Sequence, residues 1–171
     1  DVKKSETDFT KALETNIIGT CNIVRLCSYN NVKLVHISTD HVFDGQKGDY
    51  TTTDRINPIA KYAKSKGAAE LAVRMYENSL VIRTSFFPEI FPYDKAFTDQ
   101  WTSKDYIDII APKVLKACLS NRYGIVHCAS AKSSTFEVAQ RRSNKVAPIN
   151  RADFNFPSLR DTSLIVDNEF D

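Results

Sequence analysis

Three polar residues end an apolar run early in the chain, and a tyrosine and a lysine follow after a loop. Ser38, Thr39 and Asp40 close the stretch "LVHISTD", and Tyr62 and Lys66 stand four positions apart in "NPIAKYAKSKGAAE". On a helix this spacing places both side chains on one face, one turn apart. An ammonium at that distance favours the phenolate and lowers the tyrosine pKa, which is ordinarily near 10. The group therefore predicts proton exchange with a substrate oxygen, as in the interconversion of a carbonyl and an alcohol.

Each side chain of this group has its own expected role. Thr39 holds the substrate oxygen by a hydrogen bond, while Lys66 tunes Tyr62 and binds hydroxyls of a cofactor ribose. No side chain can supply a hydride, so the chemistry requires a nicotinamide. Taken alone, the tyrosine and lysine are a common pair with a half-exposed ring and a solvated ammonium. The hydroxyl at the end of a preceding strand is what makes the combination informative.

Helices alternate with apolar strands along the chain. Apolar residues recur at helical spacing over 8–28 and 59–77, and Pro58 is predicted to open the second helix. "VKLVHIS", "SLVIRTS" and "YGIVHCA" show little alternation, which is typical of parallel strands covered on both faces. Further helices are predicted over about 104–120 and in "STFEVAQRRS". We therefore expect an α/β doubly wound parallel sheet whose ligands bind at the carboxyl ends of the strands, where the polar cluster lies.

Four consecutive blocks resemble those of the extended short-chain dehydrogenase/reductases: "NIIGTCNIVRLC", "VHISTDHVFDG", "NPIAKYAKSKGAAE" and "LVIRTS". The STD-x-VFDG form is most similar to the dTDP-4-dehydrorhamnose reductases, and the similarity continues to "PSLRDTSL". The resemblance implies a Rossmann-like sheet, NADPH or NADH as cofactor, and a reductase or epimerase reaction on a nucleotide-linked keto sugar. It also implies a homodimer, because relatives pair the two long helices with their symmetry copies.

The same resemblance implies roles for individual residues: catalytic Thr39, Tyr62 and Lys66; cofactor-binding Ser38, Tyr62 and Lys66; substrate-binding Asp40, His41 and Arg160. For His41 a loop-packing role remains open, and for Arg160 a salt bridge near the chain end. Asn16 matches the family's asparagine near the catalytic lysine, but an ordinary helix-packing asparagine is an equal alternative.

The chain differs from this family in two places. The family opens with a strand and a GxxGxxG loop for the pyrophosphate. None of the five glycines, at 19, 45, 48, 67 and 124, has that spacing. The family's pattern places roughly 70 residues before Asp1, so we expect either a fragment of a longer product or a protein that has lost most of its dinucleotide site. Between "RTSFFP" and "FTDQW" only "EIFPYDKA" remains of a longer segment that covers the sugar nucleotide in relatives.

These differences shape the expected organisation and function. We expect the C-terminal part of a Rossmann-like cofactor domain over 1–84 and 104–128, and a small substrate-binding lobe over 85–103 and 129–171. The 171-residue chain alone is expected to be inactive. The shortened segment leaves a second function open, a non-catalytic regulatory or binding protein on this scaffold, like the regulatory beta subunit of methionine adenosyltransferase.

Composition narrows the classes of partner and compartment. The chain has 171 residues, 42% of them hydrophobic, and a net charge of +2 from 23 basic and 21 acidic residues, so we expect neither a nucleic-acid nor a membrane partner. The cysteines at 21, 27, 118 and 128 form no CxxC, which favours a reduced cytoplasmic setting without a zinc site or disulfide framework. No apolar run approaches the roughly 20 residues of a membrane span, and "DVKKSETD" is not a signal peptide.

Overall fold

The structure is a computed structural model that describes residues 2–153, 160–166 and 170. Its helices are α1 (Val2–Thr7), α2 (Phe9–Ala12), α3 (Gly19–Asn30), α4 (Lys61–Arg74), α5 (Ile107–Leu119) and α6 (Thr135–Gln140). Its strands are β1 (Leu34–Ser38), β2 (Ser79–Arg83), β3 (Phe86–Phe87), β4 (Lys95–Phe97), β5 (Trp101–Thr102), β6 (Asp105–Tyr106), β7 (Gly124–His127), β8 (Ser133–Ser134) and β9 (Ala147–Ile149).

A three-stranded parallel sheet in the order β1, β2, β7 forms the body of the fold. Successive side chains of β2 enter opposite faces. Leu80 and Ile82 pack with Ala117 of α5, whereas Val81 packs with Val73 of α4. Helices therefore cover both faces, and every residue of β2 is buried. The expected α/β fold with these three parallel strands is confirmed.

The N-terminal helical region differs in detail from the single helix predicted over 8–28. The carboxylate of Asp8 caps α2, a π-helical turn covers Leu13–Ile18, and Asn31, directly after α3, has the left-handed conformation. A π turn adds a residue to the helical repeat, so the apolar spacing shifts without ending the helix. Pro58 does not open the next helix, because Ala60 is still extended and α4 begins at Lys61. None of the helices in the described ranges is long and apolar enough to cross a lipid bilayer.

A second cluster of buried residues lies beyond the carboxyl end of β2. Its members are Phe91, Ala96, Tyr106, Val138, Ala139 and Val146. The same part of the chain forms three short strand pairs, β3 with β6, β4 with β9 and β5 with β8. α6 begins with a reciprocal cap in which Ser134 and Glu137 each bind the other's backbone N–H. The sequence analysis assigned residues 104–128 to the cofactor domain, yet the side chain of Tyr106 packs within this cluster.

Candidate active site

Thr39 lies where β1 ends and contacts groups from two loops. Its hydroxyl donates to Oδ1 of Asp40 at 3.0 Å and accepts from the backbone N–H of His41 at 3.2 Å. The hydroxyl of Ser85, which follows β2, lies 3.3 Å from that of Thr39. Because β1 and β2 are parallel neighbours, their carboxyl ends meet at one edge of the sheet. The predicted strand-end cluster is therefore present, with Ser85 as an additional member.

Asp40 is the centre of this cluster and is only 1% exposed. Oδ1 accepts hydrogen bonds from Thr39 and Ser85, and Oδ2 accepts one from Thr162 at 3.0 Å. Burial acts to raise the pKa of Asp40, but the charges of Lys104 and His41 and the hydrogen bonds from Ser85 and Thr162 outweigh it, so the pKa lies below its usual 3.8. Asp40 is therefore ionised at neutral pH, and protein hydroxyls bind both of its oxygens.

Lys104 approaches Asp40 from the short connection between β5 and β6. Its ammonium donates a hydrogen bond to Nε2 of His41 at 3.1 Å. Burial lowers the pKa of His41, and the charge of Lys104 lowers it further against the opposing effect of Asp40. His41 is therefore neutral at pH 7, with Nε2 as an acceptor, and Lys104 carries the positive charge. The packing contact expected as one alternative for His41 is present, and 28% of its side chain remains exposed.

Tyr62 lies in the first turn of α4, which packs against the turn Asp40–Val42. Within the described ranges, no group forms a hydrogen bond with its phenol. Burial raises the pKa of Tyr62, and the charge of Asp40 raises it further. The expected lowering by Lys66 is therefore wrong for this structure. The physical reason is that the Tyr62 ring is partly withdrawn from water beside a carboxylate, and both effects disfavour the phenolate.

Lys66 contacts the main chain of β1 near its carboxyl end. Its ammonium donates to the carbonyl oxygen of Ile37 at 2.6 Å. Burial lowers the pKa of Lys66, while the nearby carboxylate of Glu70 opposes this effect. An ammonium has three donor hydrogens, so Lys66 can bind further acceptors in addition to this carbonyl.

Asn16 connects the N-terminal helices to the helix that carries Tyr62 and Lys66. Its amide, in the π-helical turn, donates to the hydroxyl of Ser65 at 2.9 Å, and Ser65 donates to the carbonyl oxygen of Tyr62 at 2.7 Å. These contacts are helix packing, the second alternative left open for Asn16. They also fix the turn of α4 between the two candidate catalytic residues.

Ser38 points into the body of the fold. Its hydroxyl donates to Oε2 of Glu70 at 2.7 Å, and the guanidinium of Arg83 donates to both oxygens of the same carboxylate at 3.2 and 2.7 Å. Glu70 and Arg83 are both fully buried. Ser38 therefore belongs to a buried ion-pair network below the site, and its cofactor-binding role stays a prediction.

Arg160 begins the second described range and has an exposed side chain. Its backbone N–H donates to the carbonyl oxygen of Gly45, and its carbonyl oxygen accepts from the backbone N–H of Trp101. The main chain at Arg160 is thus anchored beside the loop that follows Asp40. A salt bridge of Arg160, the alternative considered from the sequence, is not among the described contacts.

Three residues of the cluster were missed in the sequence: Ser85, Lys104 and Thr162. Ser85 directly follows the run "LVIRT", so the strand-end argument that selected Thr39 also applies to it. Lys104 and Thr162 lie in short irregular connections and have no comparable local signal. No group of three or more His, Cys, Asp or Glu side chains in the described ranges could hold a metal ion.

His36 gives the fold a dependence on pH. Its Nε2 is buried and finds no partner in the described part of the chain, and burial followed by the charge of Lys66 lowers its pKa from 6.5 to about 4, with Glu70 opposing. Between pH 6.5 and 4, His36 is protonated in the unfolded chain but mostly unprotonated in the folded chain, so the free energy of unfolding falls as the pH falls.

We expect the free energy of unfolding to fall between pH 7 and pH 5 in the unmodified protein and to fall by about 1 kcal/mol less in His36→Asn. This value is smaller than the full effect of the pKa shift, because His36 is partly exposed and solvent screens its charge. Urea titrations at both pH values measure this difference. His41 is present in both proteins, so its own titration cancels. Parallel pH dependences in the two proteins would contradict the assignment.

The comparisons with known proteins agree with this geometry. A family model described as "RmlD substrate binding domain" matches residues 1–100. The dTDP-4-dehydrorhamnose reductase of Aggregatibacter actinomycetemcomitans is 36% identical over 87 residues, which are 50% of this chain and 30% of that protein. The crystal structure of a hypothetical dTDP-4-dehydrorhamnose reductase from Sulfolobus tokodaii has a TM-score of 0.83 at 30% identity, over 96% of this chain and 67% of that one.

A further solved structure, the dTDP-4-dehydrorhamnose reductase of Bacillus anthracis in complex with NADP, has a TM-score of 0.76 at 25% identity, over 89% of this chain and 63% of that one. The match to the curated relative from A. actinomycetemcomitans spans only 30% of its length. The family model, in contrast, covers more than half of the 171 residues. On this evidence the chain belongs to the RmlD substrate binding domain family, within the extended short-chain dehydrogenase/reductases.

Proposed function

We propose that this chain carries the catalytic residues of an NAD(P)-dependent reductase or epimerase that acts on a nucleotide-linked keto sugar, as the dTDP-4-dehydrorhamnose reductases are named to do. One observation carries the proposal. The buried carboxylate of Asp40 accepts a hydrogen bond from the hydroxyl of Thr39, and burial together with the charge of this same carboxylate raises the pKa of the Tyr62 phenol.

The raised pKa of Tyr62 suits the direction of reduction. The phenol is protonated at neutral pH, so it begins as a general acid. Thr39 holds the carbonyl oxygen, and Tyr62 transfers its proton to that oxygen as the alcohol forms. The resulting phenolate then takes a proton from solvent. A reduced nicotinamide, when bound, supplies the hydride to the carbonyl carbon.

The described residues fit part of such a cofactor. The half-buried ammonium of Lys66 uses one donor on Ile37 and can offer others to ribose hydroxyls, while the phenol of Tyr62 is unpartnered within the described ranges. Ser38 would fix the carboxyl end of β1, where Lys66 binds, through its hydrogen bond to Glu70. The five glycines do not form the usual pyrophosphate loop. We propose NADPH or NADH as the cofactor, with its ribose bound by Lys66 and Tyr62. Its pyrophosphate would be bound by residues of the full-length protein that are not among these 171.

The lobe beyond the sheet is proposed to bind the sugar nucleotide. The cluster that contains Phe91 and Tyr106 gives this lobe its own small core. His41 lies 3.8 Å from Oδ1 of Asp40 with 28% of its side chain exposed, and the main chain at Arg160 is hydrogen-bonded to Gly45 in the loop that follows Asp40, which supports their proposed contact with substrate. The relatives reported above are named as reductases, which favours this function over a regulatory binding protein.

The test uses the full-length protein and the 171-residue chain in parallel. We expect the full-length protein to oxidise NADPH or NADH when a dTDP-linked 4-keto sugar is supplied, followed by loss of cofactor absorbance. The 171-residue chain is expected to bind NADPH only weakly in calorimetry, because its glycines do not have the spacing of a loop that binds the pyrophosphate. Absence of turnover in the full-length protein contradicts the proposed function. Micromolar affinity of the 171-residue chain for NADPH contradicts the proposal that the pyrophosphate is bound by residues outside it.

We also propose a homodimer formed by the two long helical regions. α3 and α4 contact each other, and both the N-terminal helical region and α4 expose large apolar side chains. These side chains are Phe9, Leu13, Ile18, Ile23, Leu26 and Leu71, and Met75 directly after α4 is also exposed. An apolar surface of this kind on paired helices is typical of a protein interface.

For this dimer, Leu26→Glu is expected to raise the dissociation constant by at least about tenfold, because it buries a carboxylate in an apolar interface. Sedimentation velocity of the full-length protein measures the change. Leu119→Glu, at an exposed leucine on α5, is the matched control and should leave the dimer intact. A monomeric unmodified protein, or a Leu26→Glu dimer of unchanged affinity, contradicts the proposal.

A further inference from the structure

The hydroxyl of Thr39 is already engaged in two hydrogen bonds. Its single proton goes to Oδ1 of Asp40, and one of its lone pairs accepts the backbone N–H of His41. A hydroxyl has one donor and two acceptor positions. In this arrangement Thr39 can accept a further hydrogen bond, but it has no proton left to donate.

A carbonyl oxygen, however, only accepts hydrogen bonds. To hold the keto group of a substrate, Thr39 must turn its proton away from Asp40. The carboxylate of Asp40 is almost fully buried, and its other oxygen, Oδ2, is bound by Thr162. Oδ1 would lose one of its two hydroxyl donors, and a buried charged oxygen without a donor is costly.

Ser85 is placed to remove this cost. Its hydroxyl donates to the same Oδ1 of Asp40 and lies 3.3 Å from the hydroxyl of Thr39. We infer that Ser85 is a positioning residue, which keeps Oδ1 of Asp40 hydrogen-bonded while Thr39 turns its proton to the substrate carbonyl. This inference rests on the proposed function and assigns Ser85 a role in the same site.

The arrangement also assigns a task to Asp40. Oδ1 of Asp40 accepts hydrogen bonds from both Thr39 and Ser85, which follow neighbouring strands. The Thr39 bond can therefore break while Oδ1 remains hydrogen-bonded to Ser85. Thr162, from a segment distant in sequence, keeps the second oxygen occupied throughout. Asp40 then acts through Thr39 rather than by touching the reacting atoms.

The first measurement is steady-state kinetics of the full-length protein with NADPH and a dTDP-linked 4-keto sugar. Ser85→Ala is expected to lower kcat/KM about 10- to 100-fold, because the Thr39 proton then stays on Asp40. Ser85→Thr retains a hydroxyl and should restore most of the activity. Thr84→Val is the matched control: it removes the adjacent strand-end hydroxyl, which has no partner in the described part of the chain, and should leave kcat/KM unchanged.

A double-variant cycle separates positioning from a structural contribution. In a Thr39→Val background, Ser85→Ala should cause little further loss, since Ser85 acts through the Thr39 hydroxyl. Loss of folded protein would reduce activity equally in both backgrounds. A Ser85→Ala enzyme with full activity, or losses that multiply in the double variant, would overturn the inference while the proposed function stands. An unmodified full-length protein without turnover would overturn both.

Discussion

Replacing Tyr62 by phenylalanine is expected to lower kcat of the full-length protein by about 10²- to 10⁴-fold, the range for loss of a general acid. The phenol finds no hydrogen-bonding partner in the described ranges, and its pKa is raised by burial and by Asp40. Its removal therefore deletes a proton donor without breaking a structural contact. Steady-state kinetics with NADPH and a dTDP-linked keto sugar measure the loss.

Cofactor affinity separates this chemical role from a binding role. The dissociation constant for NADPH should change less than about threefold in Tyr62→Phe, because the phenol contributes at most one hydrogen bond to the cofactor. Tyr123→Phe, at an exposed tyrosine whose ring centre lies 4.9 Å from the Lys33 ammonium, is the matched control and should keep full activity. Turnover that survives in Tyr62→Phe would refute the assignment of the acid.

Replacing Arg83 by methionine is expected to lower the free energy of unfolding by about 3–5 kcal/mol, the cost of leaving one partner of a buried ion pair alone. Arg83 donates to both oxygens of Glu70, and both side chains are fully buried. The variant would keep the Glu70 carboxylate in the core, where its remaining hydrogen-bond donor among the described residues is Ser38 and the Arg74 guanidinium lies 3.9 Å away. Urea unfolding monitored by circular dichroism measures the change.

Two further variants test the cause of this loss. The double variant Glu70→Leu with Arg83→Met removes both charges and should recover much of the stability. Lys47→Met breaks the exposed pair with Asp54, 2.8 Å apart, and should lower the stability far less than Arg83→Met, because solvent screens both charges. Equal losses for Arg83→Met and Lys47→Met would show that burial of the Glu70 pair has no special weight.

Much of the candidate site is predictable because its signals are local. Thr39 ends an apolar strand, and the ends of parallel strands meet at one edge of a sheet. Tyr62 and Lys66 are four positions apart, and α4 places them one turn apart as predicted. The same local logic identified the three strands of the sheet. Ser85 satisfies the strand-end rule equally well, because it follows the second buried strand of the sheet.

By itself the sequence determined the three strands of the main sheet and the helices that alternate with them, the family, and the positions of Thr39, Tyr62 and Lys66, since periodicity and short motifs depend on neighbouring residues. Only the tertiary structure decided what surrounds them. Thr162 binds Asp40 across 122 positions, a contact that no local pattern records. The raised pKa of Tyr62 likewise follows from burial and from the charge of Asp40, because the electrostatic environment of a side chain exists only once the distant segments that exclude water have packed around it.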